Sequence, residues 1–299
     1  MKILYFTDNY TWNIYGTKRS TAEALEDAGH EVILVNTENI ADIVKLTGSH
    51  NPDQIWLFHS DLQISPEARR RISIPIIGFG ISDPYYFSEK RFQSYDIYVT
   101  YHYDTYLKYK DVIPCIYNAT ACDFKFHKTL EAPKDIDISV IGLGEHPRFN
   151  DKRVRITYTE KLRSETPYTI HTYGNAWPRH ELNHGFIDGQ HFLEIINRSY
   201  LGLDIQDDWS PLAHRMFEYA ACAVPTITRF REEVLMYFDK DREIITYADY
   251  EELRDKILWY CSRKDELAKI GRAARERCQK DHDIHVRVKK LLASLAVLT

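Results

Sequence analysis

Short runs of β-branched and aromatic residues alternate with segments of helical period along almost the whole chain. Lys2 to Thr7 is the first run. It ends in the polar loop Asp8 to Gly16. Thr17 to Ala28 then follows a helical pattern closed by Gly29, and His30 to Val35 is the second run. Further runs stand at Ile55 to His59, Ile74 to Phe79 and Ile97 to Thr100, with a helical segment at Ser65 to Ile72. Asn118 to Asp135 has no clear period and reads as a linker. From Ile136 the alternation restarts: strand runs at Ile136 to Gly142, Tyr168 to Tyr173, Tyr200 to Ile205, Val224 to Thr228 and Glu243 to Thr246 are separated by helical patterns over Lys152 to Ser164, Gln190 to Arg198 and Pro211 to Cys222. Asp249, with Glu252 at capping-box spacing, opens a helical region that continues to Leu295 with interruptions near Gly271 and at Asp281 to Asp283. The pattern predicts an α/β protein of two Rossmann-like halves facing a cleft. The first covers 1–125, a linker 126–135 and the second 136–281, with a terminal helix over 282–299.

In an open α/β sheet, ligands bind at the carboxyl ends of the strands, so the loops there hold the candidate chemistry. In the second half these are the loops at Gly142, Trp177 and Trp209 and the helix expected at Pro211, with Ser210 as its cap and Leu212, Met216, Tyr219 and Ala220 as its apolar stripe. Arg215 and Glu218 lie three apart near the start of that helix, where backbone N–H groups favour an anion. A phosphate there, an Arg beside it and a carboxylate one turn on would suit a nucleoside diphosphate. The alternative is a surface Arg–Glu pair on a core helix. Gly142-Leu-Gly144 lets backbone N–H groups approach a phosphate, but Glu145-His-Pro-Arg148 follows in place of a third glycine, so a plain tight turn is the other reading. In the first half the loop after the first strand, with Asp8, Tyr15, Gly16 and Lys18, lies at the same kind of edge, where ligands sit. His59, with Asp61 nearby, and Asp83, after Gly78-Phe-Gly80, are placed to take a proton from an attacking hydroxyl or to hold a sugar hydroxyl. Taken singly, each also fits a capping or hydrogen-bonded polar role.

Composition narrows the class. The chain has 299 residues, 44% of them hydrophobic, and a formal net charge of −5, so a large core is expected and nothing global advertises a polyanion partner. Five scattered cysteines without a Cys-x-x-Cys point to free thiols in a reducing compartment. The chain opens on a strand rather than a leader, and no run is long and apolar enough to span a bilayer, so a cytoplasmic protein without membrane insertion is expected. His180-Glu-Leu-Asn-His184 fits H-E-x-x-H, which carries a zinc site only on a helix; Pro178 and Gly185 crowd it and argue against one. Asp135 with Asp137, and Asp207 with Asp208, are expected to be solvated pairs rather than metal ligands.

Taken together, Ile138-Ser-Val-Ile-Gly142, Tyr173-Gly-Asn-Ala-Trp177, Arg215 through Thr228, Tyr250-Glu-Glu-Leu253 and the Gly271, His282 and Arg287 tail resemble the C-terminal half of the CgeB/YkvP-like glycosyltransferases, two-domain enzymes of the GT-B fold. The first half resembles that fold more loosely, through Gly16, Ala24 to Val32, the Asp53 to His59 strand and Asn118 to Phe126. The resemblance implies transfer of a sugar from a nucleoside diphosphate donor, UDP-sugar above all, to an acceptor hydroxyl, with no metal and no further cofactor. It maps Glu218 onto the residue that holds the nucleotide ribose and Arg215 onto the position beside the diphosphate, with Gly142, Gly144, Arg148, Trp177 and Ser210 around them. It departs from relatives that carry a second carboxylate where this chain has Ser210, and Ala223 stands where they commonly have glycine. The acceptor is open. One alternative is a hydroxylated base in viral DNA, for which Lys18, Arg19, Lys90 and Arg91 would line a basic groove. Others are a sugar-nucleotide epimerase and a non-catalytic sugar-nucleotide binding module.

Overall fold

A computed structural model describes residues 1–8, 16–59, 62–85, 87–207 and 210–298. The chain divides into two compact units, one of Met1–Thr120 with Ile284–Thr299, the other of Ala121–Asp283. The described strands form two six-stranded sheets, one in each unit, and every strand pair is parallel. Buried on both faces, such strands must be apolar throughout, and this explains the continuous runs in the sequence.

The first unit contains β1 (Lys2–Thr7), β2 (Glu31–Asn36), β3 (Gln54–Leu57), β4 (Ile76–Gly80), β5 (Ile97–Thr100) and β6 (Cys115–Tyr117) in the order β2-β1-β3-β4-β5-β6. Leu4, Phe6, Ile55, Leu57, Ile76 and Tyr98 belong to one apolar cluster. Tyr5, Trp56, Phe58 and Phe79 belong to another, with the Phe58 and Phe79 rings stacked at 4.2 Å. Such ring pairs add about 0.5–1.5 kcal/mol each beyond the burial of their area. The helix Ile284–Leu298 packs against the helix Thr17–Asp27, and His285 Nε2 lies 2.8 Å from Asp27 Oδ2.

The second unit contains β7 (Ile136–Ile141), β8 (Ile170–Tyr173), β9 (Asn183–His184), β10 (Ser199–Asp204), β11 (Thr226–Arg229) and β12 (Ile245–Tyr247), ordered β12-β11-β10-β7-β8-β9. Counted from its own first strand this is the 3-2-1-4-5-6 order of a dinucleotide-binding sheet. Ile138, Val140, Leu201, Leu203, Ile227 and Ile245 fill one side of it. On a second cluster, Ile136, Phe192, Ile196, Tyr219 and Val224 receive Phe126 and Leu130. The aperiodic segment before β7 is therefore packed, not free: the Leu130 amide donates to Asn197 Oδ1 at 2.8 Å, and Lys134 Nζ donates to the Ser199 carbonyl at 2.6 Å.

Several elements differ from expectation. Strands β6 and β9 are only three and two residues long, too short for a periodic signal. The expected helix from Pro211 begins instead at His214 and ends at Ala221, with Ala213 at its N-cap. Ser210 does not cap it. Its hydroxyl donates to Asp207 Oδ1 at 2.6 Å and its carbonyl accepts from Arg231, which holds the chain off the helix for three more residues. Gly271 does not interrupt the terminal helices. The helix Lys264–Arg277 runs through it, and the glycine serves packing, since a Cβ there would meet the Ala223 carbonyl; the break falls at Ser262 and Arg263.

Candidate active site

The strand order of the second sheet reverses between β7 and β10, and the crevice outside their carboxyl ends is where such sheets take ligands. Ile141 ends β7 and Asp204 ends β10 there. The helix His214–Ala221 brings Arg215 to this point: its Nε donates to the Ile141 carbonyl at 3.3 Å, and its guanidinium lies 4.7 Å from the Phe192 ring centroid. One terminal nitrogen of Arg215 bonds Glu218 Oε2. Burial would push the Glu218 carboxyl upward, yet Arg215, together with His127 and His214, outweighs it and holds the group below its ordinary value. Glu218 is thus an anion fixed by a cation one turn away. Burial pushes the imidazoles of His127 and His214 below theirs, so near neutral pH both are uncharged.

The neighbouring loops are tied to one another. Trp177 Nε1 donates to the Gly142 carbonyl at 2.9 Å, and the Gly144 amide donates to the Asn175 carbonyl at 3.0 Å. A Cβ on Gly144 would stand 2.5 Å from the Ala176 carbonyl, so a glycine is required where these two loops cross. Arg155 spans the switch point itself, with Nε on the Ile205 carbonyl at 2.8 Å, a terminal nitrogen on the Leu143 carbonyl at 3.0 Å and its guanidinium 4.7 Å from the Phe149 ring centroid. Arg148 is exposed on the same loop, its amide on His146 Nδ1 at 3.3 Å. Asp204 is buried and pushed upward by desolvation, with Thr228 and Gln206 donating to it. The structure therefore gathers Gly142, Gly144, Arg148, Trp177, Arg215 and Glu218 at one sheet edge, with the Ser210 hydroxyl bonded to Asp207. Sequence reasoning missed His127, His214 and Arg155. Only His214, beside Arg215 in the chain, carried a signal of its own.

In the first sheet the order reverses between β1 and β3, and three expected residues meet there. Lys18 Nζ bonds Asp8 Oδ2, and His59 Nε2 lies 3.6 Å from the same oxygen. Burial lowers the Lys18 ammonium from its ordinary value against the pull of Asp8. Gly16 precedes the helix that carries Lys18. Tyr15, Asp61, Asp208 and Trp209 lie outside the described residues. Asp83 does not face an acceptor, because it is wholly buried (0% exposed) and its Oδ2 accepts from Tyr98 Oη at 2.6 Å and Thr100 Oγ1 at 2.7 Å, with Arg91 4.0 Å from Oδ1. Of the four residues pictured for a basic groove, Lys18 and Arg91 are buried, Arg19 pairs with Glu23 at 2.7 Å and Lys90 is exposed. His180 to Leu182 form a turn leading into β9, not a helix. Among the described residues, no cluster of three metal-ligating side chains occurs, and no helix is long and apolar enough to cross a membrane.

Known proteins share this fold. Residues 155–293 match the family described as glycosyl transferase-like. No curated protein matches the sequence. Among solved structures, sucrose-phosphate synthase from Thermosynechococcus elongatus superposes with a TM-score of 0.74 at 12% identity, covering 100% of both chains. HepE from Anabaena, solved with UDP and glucose, gives 0.74 at 10% identity, over 99% of this chain and 100% of that one. An alpha-glucosyltransferase in complex with UDP and a 13-mer DNA containing an HMU base gives 0.69 at 14% identity, over 99% of each. Two parallel six-stranded sheets on two units, with a glycosyl transferase-like segment over residues 155–293, give this chain the GT-B fold of the glycosyltransferases.

Proposed function

We propose that the protein is a glycosyltransferase of the CgeB/YkvP-like kind that moves a sugar from a nucleoside diphosphate donor, a UDP-sugar, to an acceptor hydroxyl. The observation that carries this reading is the Arg215–Glu218 pair at the reversal point of the second sheet, inside the glycosyl transferase-like segment. In the reaction the bond from the anomeric carbon to the diphosphate oxygen breaks, a bond to the acceptor oxygen forms, and the hydroxyl proton leaves. Arg215, the amino end of the helix His214–Ala221 and Arg148 would neutralise the departing diphosphate in place of a metal. Glu218 would accept from the ribose hydroxyls. In the first unit His59, paired with Asp8, is the group we assign to the acceptor proton. Neighbours solved with UDP and glucose support the donor assignment.

Variants Arg215→Ala and Glu218→Ala test it, with release of UDP and transfer measured on the same samples. Loss of Arg215 should lower turnover by about 10²–10³-fold, as for other groups that stabilise a leaving charge. Loss of Glu218 should weaken UDP binding by about 10–100-fold. Full hydrolysis and transfer in both variants would mean that the site is misplaced. A hydroxylated base in DNA is the second acceptor class, favoured by the full-length neighbour solved with UDP and DNA. Offering duplex DNA with hydroxymethylated pyrimidines beside small hydroxylated acceptors separates the two.

A further inference from the structure

Glu218 is held from two sides, and only one of them is explained by the Arg215 pair. Its side chain is 15% exposed, with Oε2 bonded to Arg215 and Oε1 lying 3.9 Å from His127 Nε2. That distance is too long for a hydrogen bond, yet short enough for the field of one group to orient the other. Resting on the reading that Glu218 receives the ribose of a nucleoside diphosphate, we infer that His127 is a positioning residue that sets the Glu218 carboxylate for the ribose hydroxyls.

The His127 side chain is only 6% exposed, so it does not itself reach ligand. Its ring stands edge-on to Phe126 at 5.0 Å and to Phe192 at 6.4 Å, and these rings keep it from turning. In the tautomer with its proton on Nε2, toward the carboxylate, His127 accepts at Nδ1 from the Asp123 amide at 3.1 Å. The Asp123 carbonyl also lies 3.0 Å from Nδ1, so the opposite tautomer has a partner too; it would turn a lone pair toward Oε1 and is disfavoured by the charge there. The carboxylate and the imidazole thus fix each other. Arg215 holds Oε2, the His127 N–H attracts Oε1 without occupying it, and a lone pair stays available for a ribose hydroxyl. His214 also acts on Glu218, and the carboxylate in turn acts on Tyr219 and Cys222. Phe192, touching both His127 and Arg215, joins the two supports into one unit.

Binding of UDP and of 2′,3′-dideoxy-UDP to the full chain, measured by calorimetry, isolates the ribose contribution as the ratio of the two affinities. In the unaltered protein the ratio should be about 10–100, the worth of a hydrogen bond to a charged group. Glu218→Ala should bring it close to one. His127→Ala should lower it about five-fold while leaving dideoxy-UDP affinity within about two-fold, a coupling of the size seen between touching residues. His127→Gln, whose amide N–H can reach the same oxygen, should restore most of the ratio, and His127→Asn, whose amide stops short, should not. The Gln and Asn pair decides the matter if the alanine variant does not fold. An unchanged ratio in His127→Ala, or an equal loss for both nucleotides, overturns the inference while leaving the ribose reading intact, provided Glu218→Ala abolishes the ratio. If Glu218→Ala leaves the ratio as it was, the ribose reading fails and this inference falls with it.

Discussion

The two sheets present polar side chains at equivalent points, just where the strand order reverses, and they secure them by different means. In the second unit, Arg215, Trp177, Arg155 and Arg231 each donate to a backbone carbonyl of another segment, so the segments that follow β7, β8, β10 and β11 are cross-tied before any ligand arrives. A site built this way needs little reorganisation to receive charge. In the first unit the groups secure one another: Asp8 takes Lys18 and faces His59, and the deeper carboxylate, Asp83, is closed off altogether. The contrast shows that a carboxylate at a strand's carboxyl end is not thereby a catalytic one. What packs over it decides, and over Asp83 that is Tyr98, Thr100 and Arg91.

The strongest way to break the comparison is Asp83→Ala. Removing one member of a buried charged group leaves the others uncompensated, at a cost of about 3–5 kcal/mol. The first unit should lose that stability in a denaturant titration, and the second should not. A variant that melts normally but has lost all transfer would return Asp83 to the catalytic list and erase the distinction drawn above.

Acid should separate the units by a smaller margin. Burial lowers His127, His146, His171, His184 and His214 from their ordinary values, all in the second unit, and His30 in the first. A histidine depressed in the folded state stays neutral while its unfolded counterpart takes up a proton near pH 6.5, so stability is lost as pH falls below that value. Glu218, also depressed, adds a further loss once pH drops below the ordinary glutamate value of 4.5. Each unit holds one buried aspartate pushed upward, Asp83 or Asp204, whose opposite contribution largely cancels between them. Melting between pH 7.5 and 5.5 should therefore weaken the second unit more, with each lost kcal/mol showing as about 2–4 °C. His171→Gln with His184→Gln should narrow the gap; equal acid sensitivity in both units would contradict the account.

The parallel sheets were legible because both-face burial writes itself into the sequence as unbroken apolar runs, and Arg215 with Glu218 was legible because helical spacing puts them on one face. What stayed hidden depends on partners far apart in the chain. Ser210 looks like a cap until Asp207 and Arg231 claim its hydroxyl and carbonyl, and local capping rules carry no knowledge of either. His127 sits in a segment without period, and only the folded chain brings it to Glu218, 91 positions later in the sequence by its number. Asp83 reads as an edge residue in one dimension and as a core residue in three.

Ala223 offers the finest adjustment. It follows the helix His214–Ala221 and adopts φ +58°, a left-handed conformation in which the Cβ of an L-residue is crowded by its own backbone. The resemblance read from the sequence leads one to expect glycine at this position, and the geometry fits that expectation: it is the turn that ends a helix, where glycine has no Cβ to strain. Ala223→Gly should relieve about 1 kcal/mol in the folded state and give back roughly half of it through the freer unfolded chain. A gain of about 1–2 °C in the melting of the second unit is expected. Because Ala223 lies beyond the carboxyl end of the helix whose amino end carries Arg215, UDP affinity should not move. A shift in affinity without a shift in melting would mean that the two ends of this short helix are mechanically coupled, and that the cross-tied loops of the second unit respond to strain rather than resist it.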